Sequence, residues 1–324
     1  MRSVTRLIEQ IRRQTENDEV SDFVGIKDEE FIQYLNDAQY NLQAQIVHQH
    51  PRVFIDETII QTVGGQERYD LPSNCFLGNK VHNVEYSPTG NDDDYYTLRQ
   101  TTMKSRASGV DADPSEYIRV AGQILLTPQP TSGGTIRISY VKRLRELDKR
   151  KAKVGQKYDT NNPPNEIDTE VSSSANFTIV LDNANFGTNT DDLALHDYIC
   201  IVDKDGKNII KNIEIAEVTD NITSTQLICK AHTLATGEPT VIPVGSYIVG
   251  GKDTTTHSEL GIEVERYLIA YCAWKILKRD SSVDSAEAMQ ELNLMAQEIV
   301  KSYALITDDV QLIPEINSRD DWSI

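Results

Sequence analysis

Cysteine and histidine residues are the first candidates for chemistry in this 324-residue chain, and their spacing favours structural roles. The four cysteines are Cys75, Cys200, Cys229 and Cys272. They lie far apart without Cys-x-x-Cys spacing, a pattern typical of free thiols in a reducing compartment. His48 and His50 could chelate a metal weakly, but no cysteine or third histidine is near them in the sequence. We therefore predict no metal site and no cofactor.

Two glycine-containing segments approach ligand-binding patterns without completing them. In residues 245–253 an extra Gly precedes Lys252, and Asp253 stands where a phosphate-binding loop needs Ser or Thr. Residues 203–208 resemble the first half of a calcium loop, but the Glu expected six residues after the Gly falls at Asn212. A strand is favoured for the first segment and a β-turn for the second.

The charge balance and the motifs restrict the class of function. No nucleophile elbow accompanies the histidines, which predicts that the chain is not an enzyme; a hydrolase whose carboxylates meet only in space stays open. Fifty acidic and 32 basic residues give a net charge of −18, which disfavours a protein that wraps nucleic acid. An acidic wall past which DNA slides remains compatible. Apolar runs are too short to span a bilayer and the basic N-terminus lacks a signal-peptide core, so we expect a soluble product made in a cytoplasm.

Helical periodicity appears at the two ends of the chain, and β-type alternation fills the middle. Helices are predicted over 3–14 and 28–47, and as a helical hairpin over 258–306. We expect the end helices to pack on one another as a helical platform, which we define by its apolar stripe residues. These are Phe31, Leu35, Leu42, Leu260, Val264, Tyr267, Tyr271, Trp274, Leu292 and Ile299. A short helix is also predicted over 98–105.

The alternating middle region predicts two β-rich blocks separated by a basic segment. The first has strands at 53–63, 66–71, 80–87, 116–120, 123–127 and 135–141. The second has strands at 176–181, 198–203, 208–218, 225–229 and 245–249, with turns about every ten residues, which suits a barrel or sandwich. The fold class is therefore α+β. It has a core over 1–150 and 255–307, an inserted small all-β domain over 160–254, and an extended tail over 308–324.

Two segments leave their roles open. Residues 142–153 (KRLRELDKRKAK) are rich in basic side chains, and we interpret them as a solvated connector or a surface for an acidic partner rather than a nucleic-acid site. The tail could be a disordered terminus, or it could dock on another chain by strand addition or groove binding. Its candidate docking residues are Val310, Leu312, Ile313, Pro314, Ile316 and Trp322.

The order of these elements resembles the head-to-tail adaptor (connector) proteins of tailed bacteriophages. Three segments carry the resemblance: KDEEFIQYLNDAQYNLQAQI, the hairpin QTVGGQERYDLPSNC followed by VHNVEYS, and the C-terminal EVERYLIAYCAWKILKRDSSVDSAEAMQELNLMAQEIVKSY with an Ile-Pro tail. Together they cover about 1–150 and 255–324. The inserted region has no counterpart expected in the smallest adaptors.

The resemblance implies a non-enzymatic virion protein of the neck or tail, assembled in the host cytoplasm and engaged in genome ejection. It implies a homo-oligomeric ring, about twelve copies, that joins the portal protein to a tail tube or nozzle protein and lines a channel for passing DNA. The tail would grip the portal, and the inserted domain would lie at the periphery, facing tube or fibre proteins. The alternative is a carbohydrate- or surface-binding β-module protein of a phage tail.

Overall fold

The computed structural model describes residues 2–15, 26–78, 80–103, 113–155, 157–158, 166–167, 169–182, 193, 196–220, 225–235, 237–279 and 285–308. The fold is α+β. It divides into two compact units: the first unit comprises residues 1–41 and 144–296, and the second comprises 42–143 and 297–324. The domain boundaries predicted from the sequence stay a prediction.

The described ranges contain four α-helices, and these confirm the helical pattern at the ends of the chain. They are α1 Val4–Gln14, α2 Asp28–Gln49, α3 Glu265–Arg279 and α4 Ser285–Asp308. Three acidic residues open α2, where the helix dipole favours negative charge. The helix α3 begins later than predicted, because Ile262–Val264 forms a tighter 3₁₀ turn before it.

The second unit is built from two four-stranded sheets. Its strands are β1 Ile55–Gln61, β2 Arg68–Asp70, β3 Val81–Ser87, β4 Tyr96–Thr97, β5 Arg99–Gln100, β6 Glu116–Val120, β7 Gln123–Thr127 and β8 Thr135–Val141. One sheet has the order β1-β8-β3-β4 and the other β2-β7-β6-β5. Buried side chains from both sheets form one apolar core, including Tyr86, Tyr117, Ile124 and Ile136.

The short helix predicted over 98–105 is wrong for residues 98–102, where Arg99–Gln100 form the strand β5. Leu98 lies between the short strands β4 and β5, and its N–H donates to the carbonyl of Val84 at 2.8 Å. Its side chain is buried in the core of the second unit. Backbone pairing with a neighbouring strand therefore outweighs the local preference of this segment.

The first unit contains the remaining strands. They are β9 Glu146–Leu147, β10 Ala152–Lys153, β11 Lys157–Tyr158, β12 Glu166–Ile167, β13 Thr169–Glu170, β14 Phe177–Val180, β15 Tyr198–Val202, β16 Asn208–Asp220, β17 Thr225–Cys229, β18 Val241–Ile242, β19 Tyr247–Gly250 and β20 Thr254–Thr255. Six of them form one antiparallel sheet in the order β10-β19-β15-β16-β17-β14.

This six-stranded sheet closes on itself. An antiparallel bridge joins Val154, just after β10, to Leu181, just after β14. The N–H of Gly155 donates to Val180 and the N–H of Asp182 donates to Lys153, each at 2.8 Å. The two edge strands are thus paired, so the sheet is a small barrel rather than a sandwich. Its interior is filled by buried apolar side chains, among them Ile179, Ile199, Ile201, Leu227 and Ile248.

The chain enters and leaves the barrel through one parallel pair, β9 with β20. The N–H of Glu146 donates to Asp253 at 3.1 Å, and the N–H of Asp148 donates to Thr255 at 2.9 Å. The hydroxyl of Thr255 donates to the carbonyl of Gly206, in the turn between β15 and β16, at 2.7 Å. These bonds fix the barrel's entry and exit side by side.

Candidate functional site

Helices from the two ends of the chain meet in the first unit. The N–H of Val4, at the start of α1, donates to the carbonyl of Thr256 at 2.9 Å. The carboxylate of Glu265 accepts from the N–H of Arg2, 263 positions away, and pairs with its guanidinium. Ten residues further along α3, Lys275 pairs with Asp37 of α2 at 3.6 Å. The first unit thus holds α1, the start of α2 and α3 in one helical layer.

Most of the residues predicted for the helical platform are buried. The buried ones are Phe31, Leu35, Leu42, Leu260, Val264, Tyr267, Tyr271 and Leu292, whereas Trp274 and Ile299 are half-buried. The buried face of α3 also includes Leu268, Cys272 and Ile276, a row at spacings of four that the predicted stripe largely missed. Trp274 lies beside this face, and the ammonium of Lys278 is 5.1 Å from its ring centroid. Burial of these residues within one copy does not test whether neighbouring copies pack side by side in an oligomeric ring.

Sequence reasoning missed a buried polar cluster on α2. The amide of Asn36 donates to the carbonyl of Leu147 at 2.9 Å and accepts from its N–H at 2.7 Å. The amide of Gln39 donates to the carbonyl of Arg145 at 2.8 Å and accepts from the hydroxyl of Ser258 at 3.3 Å. Two side chains of the helix therefore satisfy the backbone of the segment that leads into the barrel. Their only sequence signal is polar side chains beside the apolar stripe of α2.

The basic stretch 142–153 is not a solvated connector. Arg145 pairs with Glu259 at 3.0 Å, and both side chains are mostly buried. Lys151 is buried and pairs with Asp148 at 3.3 Å, while burial raises the pKa of the Asp148 carboxyl above its usual range. The guanidinium of Arg150 stacks 3.8 Å from the ring centroid of Tyr247. These cations lie against partners within the first unit, because the strands around them bury the segment.

A groove of about 750 Å³ opens on the helical layer of the first unit. It is lined by residues of α1, α3 and α4 and of the 3₁₀ turn before α3. Its basic side chains are Arg2, Arg13 and Arg266, its acidic ones Glu265 and Glu291, and its apolar ones Ile262, Ile269, Ala270 and Met295. Ile262 is 62% exposed, although it is a large apolar residue. Such a mixed surface suits contact with another protein rather than a catalytic step.

The candidates for chemistry have structural roles in the described part of the chain. All four cysteines are free, as predicted, and the structure also buries them. Burial raises the pKa of Cys229 to about 12. The β-turn at 203–208 is confirmed, and the carboxylate of Asp203 accepts the N–H groups of Asp205 and Lys207. The strand within 245–253 is confirmed as β19.

The described ranges lack a metal-binding cluster and a membrane-spanning helix. No group of three or more His, Cys, Asp or Glu side chains there is placed to hold a metal ion. No helix in those ranges combines the length and hydropathy needed to cross a membrane. The predicted docking residues of the tail, Val310, Leu312, Ile313, Pro314, Ile316 and Trp322, lie outside the described residues.

Comparison with known proteins points to an assembly component. Residues 2–156 match the model of a family described as SU10 adaptor protein. The matched segment begins before α1, covers α2 and all eight strands of the second unit, and ends just after β10. No curated protein matches the chain. The match covers just under half of the chain and supports a structural adaptor role in a bacteriophage.

Proposed function

We propose that this chain is a structural virion protein, a head-to-tail adaptor whose copies form a closed ring between the portal and a tail tube or nozzle protein. The observation that carries the proposal is the family match over 2–156, which includes the α1 and α2 helices that contact α3. In this ring, about twelve copies line a channel through which DNA passes without specific binding. The net charge of −18 supports this role, because an acidic channel wall repels DNA and does not hold it as it passes.

The distribution of charge supports head-to-tail contacts between copies. Residues 1–14 carry four basic and one acidic side chain, while the rest of the chain carries 28 basic and 49 acidic ones. A heterologous ring brings different surfaces of neighbouring copies together, so a basic helix on an acidic protein favours that contact. We assign the groove on α1, α3 and α4 to an acidic surface of a neighbouring copy.

A matched pair of charge reversals tests this assignment. The side chains of Arg266, in the groove, and Arg99, on β5 of the second unit, are each 79% exposed. Among the described residues, Arg266 pairs with Glu291 at 3.4 Å and Arg99 pairs with Glu116 at 3.7 Å; the Glu291 side chain is 63% exposed and that of Glu116 is 20% exposed. Arg266→Glu should weaken the ring while Arg99→Glu leaves it intact, as measured by native mass spectrometry in the presence of portal rings. Equal effects would contradict the groove assignment, and a chain that stays monomeric with portal would contradict the ring itself.

The tail is proposed to dock on the portal through Val310, Leu312, Ile313, Pro314, Ile316 and Trp322. Its apolar side chains follow the last helix, and such a segment suits strand addition or groove binding on another chain. Deleting 308–324 should abolish attachment to portal rings in a sedimentation assay while circular dichroism stays unchanged. Full attachment of the shortened chain would refute this part of the proposal.

The barrel is proposed to face tail or fibre proteins at the periphery of the ring. A carbohydrate-binding module is the second candidate, which barrels of this size can support. Two observations disfavour it. The barrel interior is filled by side chains. The half-buried rings of Tyr198 and Tyr247 are already in contact with the cations of Lys252 and Arg150, at 3.9 and 3.8 Å, and so are not free to stack on a sugar. Specific binding of the full chain to a glycan array would favour the second candidate.

A further inference from the structure

Among the described strands, β1 pairs with β8 alone and so forms an edge of its sheet. The N–H of Thr62 donates to Gly134 at 2.7 Å, and the N–H of Lys142 donates to Phe54 at 2.8 Å. Since antiparallel hydrogen-bonded pairs recur at every second residue, the even-numbered residues from 54 to 62 bond toward β8. The peptide groups of the odd-numbered residues therefore point away from β8, toward the free edge.

Both ends of this free edge have local partners. The N–H of Glu57 donates to the carboxylate of Asp56 at 2.9 Å. The hydroxyl of Tyr69 accepts from the N–H of Val63 at 3.1 Å, and its single proton is shared between the carbonyls of Gln66 at 3.0 Å and Val63 at 3.3 Å. Between them, the peptide groups of Ile59 and Gln61 have no protein partner in the described part of the chain. The side chain of Ile59 is 56% exposed, so this stretch combines unpaired backbone with an exposed apolar residue.

The last helix ends close to the start of β1 within the second unit. The rings of Tyr303, near the end of α4, and Phe54, the residue before β1, have centroids 6.2 Å apart. The helix α4 ends at Asp308, and 309–324 continue the chain. Sixteen extended residues reach roughly 50 Å, whereas the seven residues of β1 span roughly 23 Å. The chain after α4 is therefore long enough to cover the whole edge.

We propose that the free edge of β1 is a strand-acceptor site and that, before assembly, it is occupied by residues 309–313 of the same chain. This segment, DVQLI, places Val310 and Leu312 on one face of a strand. Pro314 follows and, lacking an N–H, ends the pairing. A segment tethered beside its acceptor has an effective concentration of order mM, which favours the same chain over a second copy.

This inference goes beyond the proposed function and does not rest on ring formation or portal docking. Attachment of the tail to a portal would require that 309–313 leave β1. The tail then has two alternative partners, β1 and the portal. The edge of β1 becomes free only when the portal has bound the tail. The two claims fail separately, because one is measured on the isolated chain and the other with the portal.

Amide hydrogen exchange of the isolated chain, resolved residue by residue by NMR, tests the proposal. In the full chain the amides of Ile59 and Gln61 should exchange at least about tenfold more slowly than in a chain truncated after Asp308. The amides of Thr58 and Ile60, which face β8, should be protected in both chains and serve as internal controls. Equal exchange of Ile59 and Gln61 in the two chains would overturn the proposal.

Two further measurements keep the result interpretable. The Gln311→Pro variant of the full chain should lose the same protection, while Asn317→Pro, beyond Pro314, should retain it. Loss of protection in neither variant, or in both equally, would contradict pairing by 309–313. Labelled truncated chain mixed with unlabelled full chain should stay unprotected; protection there would identify a second copy as the occupant and overturn the assignment to the same chain.

Discussion

Replacing Asn36 with Ala should destabilise the first unit more than any change on the exposed face of α2. Asn36 is 6% exposed and makes two hydrogen bonds with the backbone of Leu147, at 2.9 and 2.7 Å. Alanine removes both and leaves the N–H and carbonyl of Leu147 buried without these partners. Each orphaned group costs about 1–3 kcal/mol. Alanine regains roughly 0.5 kcal/mol in helix propensity, so the expected net loss is about 3 kcal/mol.

The neighbouring position supplies the control for this change. Asp37 is exposed and makes one ion pair with Lys275 at 3.6 Å, so Asp37→Ala should cost no more than about 0.5 kcal/mol. Urea unfolding followed by circular dichroism measures both variants, and exchange of the Leu147 amide localises the effect. The reasoning is refuted if Asn36→Ala and Asp37→Ala change the free energy of unfolding equally, or if the Leu147 amide stays fully protected.

Three other predictions concern the packing and the buried titratable groups. A Cβ at Gly134 would lie 2.6 Å from the carbonyl oxygen of Ser87, so Gly134→Ala should cost about 2 kcal/mol or more, whereas Gly133→Ala, with its nearest atom at 3.4 Å, should cost less in the same urea assay. Burial, aided by nearby Arg150, lowers the pKa of His257. Its neutral form is thus favoured on folding, and stability should fall as the pH drops below the unfolded value of about 6.5; His257→Gln should flatten this dependence, and an unchanged slope would contradict it. The four buried cysteines should react with a thiol reagent only after unfolding in guanidinium, and rapid labelling of the native chain would contradict their burial.

The sequence predicted the helices and strands well where side chains alternate or repeat regularly. The strands Glu116–Val120, Gln123–Thr127 and Thr135–Val141 occur at the predicted residues, because each is a short apolar-rich segment bounded by turn residues that packs into the core. The barrel strand Thr225–Cys229 is also placed as predicted. Closure of the barrel could not be predicted, since it depends on a bridge between Val154 and Leu181 that leaves no local pattern.

The candidate interaction surfaces were harder to predict than the fold. The basic side chains at 142–153 indicated that the segment is exposed. In the structure, Arg145 and Lys151 form ion pairs with Glu259 and Asp148. Pairing between residues that are distant along the chain, such as Arg145 and Glu259, is not visible in a single sequence. The groove around Arg266 also depends on three helices meeting in space. The tail residues lie outside the described ranges, and their role stays a proposal.

The parallel pairing of Glu146–Leu147 with Thr254–Thr255 gives the barrel an unusual relation to the rest of the chain. Two parallel neighbours run in the same direction about 4.8 Å apart, so the backbone resumes its original heading one strand width from where it departed. Excising the intervening hundred or so residues and rejoining the ends would need only that small lateral step. We therefore expect that the barrel can be excised with only a short replacement link, so that recombination between related genes could delete or exchange it in a single event.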